Sequence, residues 1–165
     1  MIIKKRKLVD AEIVLINEEI RKFPDIAYVN NSIWKKFECV YIAYSNNQFI
    51  GICVVVMLND WVKIGPFVIL QKYQGKGYGK KLLTYVIKKQ KNINIFVGSS
   101  NKKVAKILSK LGFIQNTNTF KLSREIKLYG LGYFLESLNL TFLKELIRKK
   151  LLFKRGKFFY YLKYK

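Results

Sequence analysis

Three glycines within six residues, Gln74-Gly75-Lys76-Gly77-Tyr78-Gly79, are the part of this chain best suited to chemistry. Glycine lets the backbone turn sharply and lets a bulky anion come close to it. The apolar residues before the turn read as a strand. Leu82, Leu83, Val86 and Ile87 after it recur at the spacing of one helix face. A helix starting near Tyr78 aims unpaired N–H groups and the positive end of its dipole at the turn. Lys76, Lys80 and Lys81 add positive charge. The Gly-Lys-Ser/Thr of a Walker loop is missing. A Rossmann assignment needs an acidic residue about twenty positions on, and residues 95–99 contain none.

Other reactive side chains are few. The chain has no histidine, which removes His-based triads, imidazole bases and most zinc sites, so no metal site is expected. Cys39 and Cys53 both fall in apolar strand-like runs, which implies no disulfide framework and points to a reducing, cytoplasmic setting. The longest apolar run, residues 50–58, is too short and too β-branched to span a membrane. The charged start has no apolar stretch behind it, so it does not read as a secretory signal. Thirty-two Lys and Arg against ten Asp and Glu give a net charge of +22, a balance that attracts polyanions. AT-rich coding bias would favour Lys, but it would favour Asp and Glu as well, and these remain few.

The turn has to be positioned by its neighbours. Asp10 is a candidate cap for a helix carrying Ile13, Ile16, Ile20 and Phe23, which Pro24 closes. Asn30 or Asn31 can cap a second, short helix with Ile33, Trp34 and Phe37. Residues 39–44 and 48–58 around Asn46-Asn47 read as a hairpin, because asparagine tolerates positive φ. Residues 61–70 form a further strand, interrupted by Gly65-Pro66 as at a bulge or an edge. Residues 93–97 read as a short buried strand. Asn101 caps a helix with Val104, Ile107, Leu108 and Leu111 on one face, and Gly112 stops it. Residues 113–123 read as two short strands around Asn116-Thr117-Asn118. The expected fold class is α/β, a mixed sandwich organised as residues 1–125 followed by a basic, aromatic extension, 126–165. In that extension Leu131, Phe134, Leu135 and Leu138, then Leu143, Leu146, Ile147 and Leu151, suggest amphipathic helices.

Taken in this order, the motifs resemble the GNAT superfamily of N-acyltransferases. Its signature, Arg or Gln, two residues, Gly, one residue, then Gly or Ala, is matched by Gln74, Gly77 and Gly79 after the fourth strand. Asn101 followed by Leu111-Gly112-Phe113 resembles the second signature, and the likeness runs from Asp10 to Glu125. The resemblance implies a mostly antiparallel sheet with one splayed parallel pair of strands and helices on both faces. It implies acetyl-CoA or another acyl-CoA as co-substrate. The backbone of Gly75, Lys76, Gly77, Tyr78, Gly79 and Lys80 would hold the pyrophosphate. Phe67, Val68 and Ile69 would bind the pantetheine arm, with the Ile69 N–H polarising the thioester, and Asn101 would complete the cofactor site.

Two departures from the family bear on catalysis. The usual tyrosine acid falls at Leu108, which continues an apolar stripe and reads as core, leaving Tyr78, Tyr85 and Ser99 as substitute hydroxyls. The usual Glu of the fourth strand is missing, leaving Asp60 and Glu38 as the nearest candidate bases. An α-amine, with a pKa of about 7.7–8.0, needs less help from a base than a lysine does. The sequence therefore suggests transfer to an α-amine on an acidic partner, such as aminoacyl-tRNA or a ribosome-associated protein. RNA contacts would come from the basic surface, above all Arg148, Lys149, Lys150, Lys154, Arg155 and Lys157. Two alternatives stand beside this: an acyltransferase at an anionic membrane, its tail in the interface, and a binding module that has lost the chemistry. The tail aromatics Phe153, Phe158, Phe159, Tyr160 and Tyr161 would be wedges in the membrane case, or would pack on the domain or in a homodimer.

Overall fold

Asn46 and Asn47 adopt φ of 49° and 58°, the left-handed pair a tight hairpin requires, and they join β2 (Cys39–Ser45) to β3 (Gln48–Met57). The structure is a computed structural model that describes residues 1–153 and 156–165; Lys154 and Arg155, two of the expected RNA contacts, lie outside the described residues. Around this hairpin the described residues form one sheet of seven strands in the order β1-β2-β3-β4-β5-β7-β6. The others are β1 (Ile2–Lys5), β4 (Trp61–Ile69), β5 (Asn94–Ser99), β6 (Ile114–Asn116) and β7 (Phe159–Lys163). Every pairing is antiparallel except β4 with β5, as the resemblance implied.

Helices cover both faces. On one face α1 (Asp10–Arg21) and α2 (Asn31–Lys36) bury Ile13, Ile16, Ile20, Ile33 and Trp34 against Val40, Ile42, Ile52, Val54 and Val68. Trp34 Nε1–H donates to Asn17 Oδ1 at 2.8 Å, so the one polar group of that ring is satisfied inside the core. On the opposite face α3 (Tyr78–Lys89) and α4 (Lys102–Lys110) bury Leu82, Leu83, Val86, Ile87 and Leu108. Each of these side chains contributes about 1.5–3 kcal/mol by leaving water.

The structure corrects the expected boundaries in four places. Asp10 lies inside α1; the N-cap is Val9, whose N–H donates to the Glu12 carboxylate at 3.1 Å. Residues 113–123 supply only β6 and a short 3-10 turn, because the partner of β6 comes from the end of the chain. The extension contributes the helices α5 (Arg124–Ser137) and α6 (Leu140–Leu152), but it then returns as β7 between β5 and β6, an integral strand of the sheet. The apolar stripes expected to dock these helices face outward: Leu131, Leu135, Leu143, Ile147 and Leu151 are exposed. The residues that α6 buries are Phe142, Glu145 and Lys149.

That inversion has a polar cause. Lys149 is fully buried, and its ammonium donates to the carbonyls of Ile20, Phe23 and Ile26 at 2.6, 2.8 and 2.7 Å. These carbonyls belong to the last turn of α1 and the loop after it, where a helix leaves acceptors short of partners; Ile20 O accepts from Phe23 N–H as well. Glu145 pairs with Arg21 and Arg148 on the same side. Helix α6 therefore docks through charged groups that close the end of α1. Arg148 and Lys149 are bound to the protein itself and are not the free polyanion contacts the sequence suggested.

Candidate active site

Strands β4 and β5 are paired only at Trp61–Asn94, Val62–Ile95 and Lys63–Phe96, and then they part. The cause lies in β4. Between the pairs Cys53–Phe67 and Val55–Ile64, β4 has one residue more than β3, and the surplus falls at Gly65-Pro66. Gly65 takes a φ of 119°, open to glycine, and the peptide to Pro66 is cis. This bulge bends β4 away, while β5 continues along β7 from Ile95–Lys163 to Ser99–Phe159. The parting opens a cleft of about 530 Å³ between two strands of one sheet.

At one end of the cleft lies the glycine turn. Gly75 and Gly77 have φ of 78° and 80°, so both positions require glycine's freedom. The first intrahelical bond of α3 is Lys81 N–H to Gly77 O, at 3.1 Å, and the N–H groups of Tyr78, Gly79 and Lys80 therefore lie at the open helix end. No acid occupies the first turn of α3. Between Trp61 and Arg124 the chain contains no Asp or Glu at all. Gln74 fastens the turn to the strand, its side-chain amide donating to Ile69 O at 2.9 Å. This end of the cleft can hold an oxyanion by charge, dipole and backbone amides together.

The opposite end is built by elements whose contribution the sequence did not reveal. Ile126, Tyr129 and Tyr133 of α5 line it, with Phe158 and Tyr160 from around the start of β7. The Phe158 ring lies over Gly98 of β5, in the space a Cβ would occupy. Lys63 points in from β4. Its Nζ donates to Gly65 O at 2.7 Å and lies 5.2 Å from the ring centres of both Tyr129 and Tyr133. Burial pushes the Lys63 amine down to about 8, and only Cys53 opposes the shift. Burial likewise holds the phenols of Tyr129 and Tyr133 well above their ordinary value. The loop between α1 and α2 forms a side wall. There Asp25 accepts from Ser100 Oγ at 3.2 Å and from Asn101 Nδ2 at 2.9 Å.

Of the residues proposed to bind the co-substrate, Phe67, Ile69, Gln74, Gly75, Gly77, Gly79, Lys80 and Asn101 line the cleft. Asn101 also caps α4, its Oδ1 accepting from the N–H groups of Lys103 and Val104 at 2.9 and 3.3 Å. Val68 turns its side chain into the α1–α2 core, and Lys76 sits over the Tyr73 ring. Of the candidate catalytic groups Ser99 lines the cleft, its Oγ accepting from Asn101 N–H at 3.1 Å, and Tyr85 packs on Tyr41; the others are not brought to it. Tyr78 lies outside the lining, its hydroxyl 3.2 Å from Ser45 Oγ. Asp60 is exposed in the turn before β4, where its carbonyl accepts from Asn94 Nδ2. Glu38 is exposed ahead of β2, with β3 between it and the cleft. Leu108 is fully buried among apolar neighbours. The titratable side chains the cleft does present include Lys63, Asp25, Tyr129, Tyr133 and Tyr160.

The sequence matches the family model described as Acetyltransferase (GNAT) family over residues 12–113. No curated protein sequence matches the chain. Among solved structures, Rv2747 from Mycobacterium tuberculosis, in complex with CoA and NLQ, aligns with a TM-score of 0.66 and 11% identity, covering 98% of each chain. The ribosomal-protein-S18-alanine N-acetyltransferase from Escherichia coli aligns at 0.61 and 11% identity, covering 98% of this chain and 92% of its own. N-acetylglutamate synthase from Neisseria gonorrhoeae, with coenzyme A and N-acetyl-glutamate, aligns at 0.62 and 12% identity, covering 97% of this chain. The present chain spans only 35% of that synthase. At such identities the likeness is one of fold.

Proposed function

The chain belongs to the GNAT acetyltransferase family, and on that premise we propose that it transfers an acetyl or other acyl group from acyl-CoA to a primary amine in the cleft between β4 and β5. The observation that carries this reading is the junction of the cleft with the glycine turn. A slot between two parted strands runs from a cationic helix N-terminus at Tyr78 to the tyrosine-walled end at Lys63. The backbone N–H groups of residues 78–80 would hold the diphosphate, with Lys76 and Lys80 supplying countercharge. The unpaired edge of β4 at residues 67–69 would take the extended arm, and that arm would bring an activated thioester into the slot. Tyr129, Tyr133 and Phe158 would keep water from it. With no hydroxyl at position 108, positioning supplies most of the rate, an effect worth several kcal/mol.

The preferred acceptor is an α-amine carried on an acidic partner, of the kind presented by aminoacyl-tRNA or a ribosome-associated protein. The charge distribution supports this more than the tail does. Lys80, Lys81, Lys88, Lys89, Lys102, Lys103, Lys106 and Lys110 are all exposed on α3 and α4, the helices that share one face of the sheet beside the glycine turn. A second reading, acylation at an anionic membrane, is favoured by the exposed leucines of α5 and α6, which stand beside Lys127, Lys144 and Lys150. Among the described residues no helix is long and apolar enough to cross a membrane. Incubation with labelled acetyl-CoA and a cell lysate tests both readings. Label in RNA or RNA-bound protein supports the first and label in lipid the second, and label in no fraction overturns both.

A further inference from the structure

Lys63 is the last residue of β4 paired with β5, and its side chain reaches forward into the opening that begins at Gly65. Resting on the reading that acyl-CoA occupies this cleft, we propose that Lys63 Nζ is itself an acyl acceptor, so that the protein acylates this lysine when no external amine fills the slot.

The surroundings make this amine unlike the exposed lysines of α3, α4 and α6. Among the described residues no carboxylate pairs with it; its contacts are the Gly65 carbonyl and the faces of Tyr129 and Tyr133. The groups facing it are the Cys53 thiol from β3 and the two phenols from α5, and burial holds all three in their neutral forms. Tyr160 of β7, further along the lining, is raised in the same direction. The carboxylate that acts on the two phenols, Glu136 of α5, pairs with Lys36, and Asp25 in the cleft wall accepts from Ser100 and Asn101. A buried ammonium without a counter-charge gives up its proton readily. With its pKa near 8, about half of the Lys63 amine is neutral at pH 8, against less than about 1% for an exposed lysine at the same pH. Neutral amine is the nucleophilic form.

The step balances without any further reactant. The Nζ lone pair attacks the thioester carbonyl carbon, the C–N bond forms, the C–S bond breaks, and CoA leaves as thiolate. The surplus proton on nitrogen passes to the thiolate, giving an amide and CoA thiol. The amide is uncharged and lies beside the rings of Tyr129 and Tyr133 at the walled end of the slot, so the modification fills the space an acceptor amine would take.

The test uses the full chain with acetyl-CoA and no added amine, over a pH series, with acetylation followed at each lysine by mass spectrometry of peptides. Lys63 is expected to be acetylated at least about tenfold faster than exposed lysines such as Lys88 and Lys150. Its rate should level off above pH 8, whereas theirs climbs until about pH 10.4. Excess free CoA should suppress labelling at Lys63 alone, because only there does reaction require the cleft. A parallel melt with CoA separates the two claims. If CoA stabilises the protein but Lys63 reacts no faster than exposed lysines, or is indifferent to competing CoA, self-acylation is refuted and the cleft assignment survives. If CoA leaves the melt unchanged, both fail.

Discussion

Replacing Lys149 with Met should cost more stability than removing any other lysine of α6. The ammonium makes three hydrogen bonds to main-chain carbonyls, at 2.6, 2.8 and 2.7 Å, in a fully buried setting. Hydrogen bonds to charged groups contribute about 1.5–3 kcal/mol each, net of the water they replace. They are not additive, however, and water can reach some of the carbonyls once the ammonium is gone. A buried carbonyl left without its donor costs about 1–3 kcal/mol, so with three of them, some reached by water, the expected loss is about 3–5 kcal/mol. For a chain of this size it corresponds to a fall in Tm of roughly 6–20 °C. Lys150, next in sequence and exposed, is the control, and Lys150→Gln should leave Tm within about 2 °C, as surface substitutions usually do. Thermal melts and urea titrations supply the numbers, and proteolysis of the loop between α1 and α2 supplies a local readout. Should Lys149→Met melt like its parent with that loop still resistant, the account of why α6 docks by its polar face is wrong.

Other expectations follow from the site and the core. Gly77→Asp puts a side chain at a φ of 80° and a negative charge at the open end of α3, so it should abolish stabilisation by CoA, which for the parent should reach about 2.7 kcal/mol at a hundredfold excess over Kd. Leu108→Ala should cost about 2–5 kcal/mol, any lost activity following the lost fold; unchanged stability with altered turnover would put residue 108 at the acceptor site instead. Lys63→Met should raise Tm at pH 7, because the folded protein there carries a buried cation whose pKa has fallen from 10.5 to about 8. As pH rises from 8 towards 10.5 the folded lysine is already neutral while the unfolded one still binds its proton, so the parent gains stability and the difference between the two should vanish near pH 10. Gln at Lys80, Lys81, Lys102 and Lys103 should flatten the salt dependence of RNA binding, by about 0.7–0.9 log units per lost phosphate contact per tenfold salt; an unaltered slope would remove α3 and α4 from the proposed interface.

The features legible in the sequence were those whose partners are local. Asn46-Asn47 requires only its own φ angles to fold a hairpin, Asn101 caps its own helix, and the turn at residues 74–79 depends on glycines beside one another. Gly65-Pro66 was legible as an interruption of a strand, and the structure supplies the reason it matters, one extra residue in β4. The missed features depend on distant chain. β7 slots between β5 and β6 from beyond residue 158, so the strand expected inside residues 113–123 had no use there. The run Phe158-Phe159-Tyr160-Tyr161-Leu162 has the β propensity of a strand, but inside an extension that reads as helical its aromatics suggest membrane wedges or packing on the domain or a dimer partner. Lys149 reads from the sequence as one of the tail's RNA contacts, because nothing in its own helix announces three carbonyls gathered from α1 and the loop after it. Lys63 lies in the strand that carries an acid in the family, and what sets it apart, the two tyrosines of α5 beside it, comes from distant chain.

Hydrogen exchange with and without CoA tests the central claim most directly, because it locates binding along the backbone and needs no knowledge of the acceptor. With CoA in the cleft, exchange should slow at the amides of residues 75–80 and 67–69, the helix end and the unpaired edge of β4, and stay unchanged on the outer faces of α5 and α6. Exchange unaltered at both segments, or protection confined to other parts of the chain, would contradict it.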